Sequence, residues 1–191
     1  MTAQISFNLP DWVTDYQQQY QASPSLQTQM AFVIEASRLN VAYQTGGPFA
    51  AGVFEIDSGR LIALGVNLVT THNLSILHAE IVAITLAQQI RGTYDLGQSE
   101  LPALSLVTSC QPCAMCFGAI PWSGVRQVVS GASEEDARRI GFDEGPHHPD
   151  WAGALSERGI DVITKVECES AVSVLSDYIE AGGPIYNSRQ D

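Results

Sequence analysis

The chain has 191 residues, 45% of them hydrophobic and 16% charged, which is enough for one globular α/β domain and short for two. Nine Lys and Arg stand against 21 Asp and Glu, a net charge of −12, so a nucleic-acid partner is disfavoured. No apolar run approaches the ~18 residues of a membrane span. The opening MTAQISFNLP carries neither a basic nor an apolar leader segment, so a cytoplasmic protein with no membrane partner is expected.

In chain order, residues 11–21 read as a short helix with Asp11 as cap and Trp12, Tyr16 and Tyr20 on one stripe. Residues 1–22 form an N-terminal extension expected to pack rather than react. Ser23 and Pro24 then read as N-cap and first residue of a second helix. Leu26, Met30, Val33, Ser37 and Val41 recur in it at helical spacing, up to Gly46-Gly47. Residues 50–56 and 61–70 read as strands of a hairpin around Asp57-Ser58-Gly59-Arg60. Asn67 interrupts the second strand, either bonding its own loop or offering an amide to a ligand.

Of four cysteines, Cys110, Cys113 and Cys116 cluster within seven residues, a metal spacing rather than a disulfide framework. Cys113 and Cys116 lie three apart, on one face of a helix, and Pro112 suits the first helical turn. A helix N-terminus favours the thiolates a metal needs. Cys110 has the wrong offset for a ligand, and Cys168 reads as a small buried hydrophobe. His78 and Glu80, two apart, converge on one point only at the start of a helix. The run AEIVAITLA (79–87) is apolar on nearly every side, which marks a buried helix. A carboxylate inside it is costly without a task, and desolvation raises its pKa toward the range useful for proton transfer. Taken alone, CxxC also fits a redox pair or a structural zinc half-site, and HxE alone is weak. Together, with Pro before the first Cys, they match the zinc nucleobase deaminase signature: His78, Cys113 and Cys116 as ligands, an open fourth position, and Glu80 as proton carrier.

Past a helix ending near residue 91 come a loop (92–102), a buried strand (103–109), the PCxxC helix and a further strand (127–131). A short helix follows, capped by Ser133 with Asp136 at its third position. Residues 141–149 are too rich in Gly and Pro for a regular element. His147 and His148 within that loop read as packing residues, and His72 as a surface or hydrogen-bonding one. A last strand (160–164), a last helix (169–181) and a tail (182–191) complete a pattern of alternating strands and helices, hence an α/β three-layer domain with a mixed sheet.

The stretches GGPFAAGV (46–53), GVNLV (65–69), HAEI (78–81), TSCQPCAMCFGAIPWSGV (108–125) and GFDE (141–144) resemble the cytidine deaminase superfamily, and most nearly its bacterial guanine deaminases. The resemblance implies a cytidine deaminase-like α/β/α fold with a five-stranded mixed sheet spanning 1–191 as one domain. It also implies a homodimer, one Zn²⁺ per subunit, and hydrolysis of guanine to xanthine and ammonia. By the same resemblance Asn67 and the Ala79 N–H bond the purine, Phe49 and Trp122 stack on or edge it, and Asp143 and Glu144 face the amine. Guanine is a reluctant electrophile, so Glu144 is expected as a second acid beside Glu80. Tyr186 lies in the tail, read as a lid over its own or a partner's site. Gln111 departs from the Glu that many relatives carry before the Pro. Cytosine, an amino-hydroxy-triazine such as ammeline, and tRNA adenosine are the alternative substrates, the last weakened by the acidic charge. A zinc-stabilised purine-binding module without turnover is the alternative of another kind.

Overall fold

The apolar strands pair into one sheet. In the computed structural model, which describes residues 5–188, they are β1 (Ala50–Glu55), β2 (Leu61–Val66), β3 (Leu104–Cys110), β4 (Gln127–Ala132) and β5 (Asp161–Ile163), in the order β2-β1-β3-β4-β5. Expectations for residues 1–4 and 189–191, at the ends of the extension and the tail, lie outside the described residues. β1 runs antiparallel to both β2 and β3, while β3, β4 and β5 are parallel, so the mixed sheet is as expected. The helices are α1 (Asp11–Gln18), α2 (Leu26–Ala42), α3 (Val69–His72), α4 (Ala79–Arg91), α5 (Ala114–Ser123), α6 (Glu134–Arg139), α7 (Trp151–Ser156) and α8 (Cys168–Glu180).

Successive strand residues feed opposite faces, as a pleat of period two demands. Val107 and Val129 join Met30 and Val33 of α2 and Val174 and Leu175 of α8 in one core. Leu106 and Val128 join Ala83 and Ala87 of α4, Ile120 of α5 and Leu155 of α7 in the other. The result is three layers, the predicted architecture. Gly65 brings α4 close to the sheet: a Cβ there would lie 2.4 Å from both Ala79 O and Ala83 N. This contact fixes the start of α4, where His78 and Glu80 sit.

Several boundaries differ from the sequence reading. Asp11 is the first residue of α1 rather than its cap, and the helix ends at Gln18. Ser25 caps α2, accepting from Thr28 N–H at 3.3 Å. Ser23 and Pro24 precede that cap because the Ser23 carbonyl is engaged by Gln29 Nε2 at 2.9 Å and by the Tyr20 hydroxyl at 3.3 Å. At the far end Gln44, not a glycine, takes the left-handed turn at φ 56°, while Thr45 N–H closes on Asn40 O. β2 stops at Val66, and 69–72 wind into α3, started by the bond from Val69 N–H to Asn67 Oδ1. Pro112 lies just before the cap of α5 rather than inside its first turn. α7 has no counterpart in the sequence reading: Asp150 accepts from Gly153 N–H at 2.9 Å and starts a helix that buries Trp151 and Leu155. The Ser133–Asp136 capping box of α6 is formed as read.

Candidate active site

Two helix starts meet at the carboxyl end of β3. His78 is the N-cap of α4 and Cys113 the N-cap of α5, both in extended backbone, so each side chain projects ahead of its helix. Cys116 follows one turn into α5. The ligating atoms of His78, Cys113 and Cys116 lie within 4.8 Å of one another, and Cys113 Sγ sits 3.5 Å from His78 Nδ1. Zinc bonds of about 2.3 Å to sulfur and about 2.0 Å to nitrogen, at a tetrahedral angle, require a separation of about 3.5 Å. The hydrogen bond from the Cys116 thiol and the imidazole beside it lower Cys113 to about 4, so it is a thiolate at neutral pH. By spacing and donor chemistry these three residues fit zinc.

Two carboxyls share the surrounding cavity of about 490 Å³. Glu80, in the first turn of α4, is 6% exposed. Desolvation first, and then the Cys113 thiolate, push it up to about 7 against the opposing pull of His78. Glu144, 8% exposed, arrives from the loop after α6. Burial, Cys113 and Glu80 together raise it to about 8. Both acids therefore hold or release a proton near neutral pH, the property that general acid–base work needs.

The opposite wall is assembled from loops and the tail. Phe49, Asn67, Phe142, Asp143 and Tyr186 line it. Phe142 packs edge-on against Phe49 and against Tyr186, each at 5.0 Å. Asn187 ties the tail to the loop of its own chain, accepting from Asp143 N–H at 2.9 Å and donating to Gly141 O at 2.8 Å. Arg138 donates to Gly145 O at 2.9 Å, and a ring nitrogen of His147 reaches Pro112 O at the same distance. These bonds hold the Glu144 loop against the start of α5. A Cβ on Gly47 would fall 2.0 Å from the Tyr186 hydroxyl, so only glycine admits the tail there.

The pattern of the cytidine and deoxycytidylate deaminase zinc-binding region matches residues 25–132, more than half of the chain. The chain belongs to this family. Its HAE and PCxxC segments are the ones that build the metal centre, and the resemblance read from them holds. Guanine deaminase of Bacillus subtilis is 42% identical over 99 residues, 52% of this chain and 59% of that protein. The matched stretch thus spans less than two thirds of that relative. Among solved structures, NE0047 in complex with 2,6-diaminopurine is 45% identical, covers 97% of both chains and superposes with a TM-score of 0.90. The structure of guanine deaminase from Nitrosomonas europaea is 44% identical over 93% of this chain and 97% of its own, with a TM-score of 0.89.

Within this family member, the expected ligands and both acids come together, as do Phe49, Asn67, Asp143 and Tyr186. Trp122 does not. It is 84% exposed and lies in a separate groove with Phe117, Pro121 and Arg158. Six residues beyond Cys116 on the same helix, it stands about 9 Å along the axis and about 120° around it, turned away from the metal centre. Ala79 is the first residue of α4, with its side chain in the core and its N–H among the helix-start donors that lack an intrahelical acceptor. Asp143 is exposed, and one of its carboxylate oxygens accepts from Gly145 N–H at 2.9 Å. Cys110 lines the cavity outside the triad, and Cys168 is half-buried rather than buried. His72 bonds Asn8 O, in keeping with its reading. Sequence reasoning missed Phe142 and Asn187. Phe142 stood inside the quoted GFDE stretch, whereas no local signal marks Asn187.

Proposed function

We propose that this chain hydrolyses guanine to xanthine and ammonia with one zinc ion per subunit. The observation that carries the reading is the pair of buried acids, Glu80 and Glu144, in one cavity beside the His78–Cys113–Cys116 triad. Held by those three residues, zinc supplies the acidity that makes a water nucleophilic at neutral pH. Glu80 accepts a proton from the attacking water and passes it to the ring nitrogen beside the amino-bearing carbon. Glu144 gives its proton to the amine, the C–N bond breaks and ammonia departs. The added hydroxyl releases its remaining proton as it becomes the new oxo group, and that proton restores Glu144. Asn67 and the Ala79 N–H orient the purine edge, Phe49 and Tyr186 bury its faces, and Asp143 holds the loop turn that presents Glu144. The tail from Gly182 onward serves as the lid.

Among the described residues no helix is long and apolar enough to cross a membrane. Four unpaired cysteines support a reducing, cytoplasmic setting. An apolar ridge on α5, with Met115 38% and Trp122 84% exposed, supports a homodimer that covers it. The test is ammonia and xanthine release from guanine beside adenine, cytosine, guanosine and ammeline. Guanine is expected to be turned over with the highest kcat/KM, and a preference for cytosine or adenine would overturn the assignment.

A further inference from the structure

The N-terminal helix lies outside the matched 25–132 region and supplies none of the residues that line the cavity, yet a chain of hydrogen bonds runs from it to the cavity wall. Trp12 stacks on Tyr43 at 5.7 Å and donates from Nε1 to Thr45 Oγ1 at 3.0 Å. The Thr45 hydroxyl donates to Asn40 Oδ1 at 2.8 Å. Asn40, wholly buried, then spends both protons of its amide nitrogen on backbone carbonyls, Gly47 O and Asn67 O, each at 2.9 Å. Those carbonyls belong to the two segments that carry Phe49 and Asn67 to the cavity, and the segments are joined by the bond from Asn67 N–H to Phe49 O at 3.0 Å. No room is left for adjustment: a Cβ on Gly46 would sit 1.8 Å from Asn67 O and 2.7 Å from Asn40 Nδ2.

We propose that Asn40, aligned from behind by Thr45 and Trp12, is a positioning residue that sets the separation of Phe49 and Asn67 and so makes the N-terminal extension part of purine binding. A buried amide has two orientations. The two carbonyls, which only accept, select the one in which Nδ2 faces them, and the Thr45 hydroxyl supplies the donor that Oδ1 then needs. None of the zinc ligands, nor Glu80, is a member of this relay, so it acts on substrate affinity rather than on proton transfer. The inference rests on the purine reading above.

The decisive pair is Thr45→Val, which keeps the shape and removes the hydroxyl, and Thr45→Ser, which keeps the hydroxyl. Thr45→Val is expected to raise KM for guanine about three- to tenfold, with kcat and zinc content within about twofold of native. Thr45→Ser should stay within about twofold in KM. Amide hydrogen exchange over 44–50 and 65–70 should speed up in Thr45→Val and not in Thr45→Ser, a readout that holds whichever base is the substrate. An unchanged KM in Thr45→Val, with or without a lower melting temperature, would overturn the proposal, as would an equal rise in both variants. Failure of the native chain to turn over guanine would strike the functional reading instead, leaving the exchange experiment to decide the relay.

Discussion

Around the triad, His78 and Cys113 cap two helix starts and Cys116 follows one turn into the second helix, so the three are placed by local backbone geometry. Across the cavity, Phe49, Asn67, Phe142 and Tyr186 come from four separate segments held together by Asn40, Asn187, Arg138 and His147. In the proposed reaction the first wall, set by secondary structure, supplies the metal ligands and Glu80. The second, set by tertiary bonds between loops, supplies recognition, and Glu144 joins the chemistry from the loop between them.

Replacing residues wall by wall should expose that division. Glu80→Gln is expected to lower kcat about a thousandfold or more with zinc content and KM for guanine little changed, measured by steady-state kinetics and metal analysis. Glu144→Gln should cost about a hundredfold in kcat, again with zinc retained; near-native turnover would remove Glu144 from the chemistry. Asn67→Ala acts on the recognition wall, so KM should rise about tenfold with kcat within about threefold. If kcat fell more than KM rose, the two walls would not be separable in the way described.

The smallest effect is expected away from both walls. Glu55 is buried beneath Arg60, Arg91 and Ser58. The bond from Arg60, with those from Ser58 and Arg91, holds its carboxyl down to about 2 from the usual 4.5. A lowered folded-state pKa means the carboxylate stabilises the fold above about 4.5 and loses that contribution as pH falls toward about 2. Glu55→Gln should therefore lose about 2 kcal/mol at pH 7, discounted for the half-exposed Arg60, and the gap to native should close in acid unfolding below pH 4.5. Kinetic constants should not move.

The same division governed what the sequence made legible. HAE and PCxxC are short-range patterns whose geometry follows from helix starts, so the triad and Glu80 could be named from the two motifs together and their match to the zinc deaminase signature. The sheet, its mixed pairing and both helical layers followed from alternation and from the Asp57–Arg60 turn. The recognition wall was harder to read because its members meet only after folding. Trp122 was given its stacking role by the family resemblance, yet the period of α5 turns it outward. Asn187, Asn40 and Thr45 are small polar residues in unremarkable contexts, and only folding brings Gly141 O to Asn187, Asn67 O to Asn40 and the Trp12 indole to Thr45. α7 was hidden because Gly153, a poor helix residue, is the one that Asp150 caps.

Stripping the purified protein with a chelator and then restoring one equivalent of zinc tests the central claim most directly. Guanine deamination is expected to vanish with the metal and return with it, at one zinc per chain. Full turnover by metal-free protein would contradict the claim.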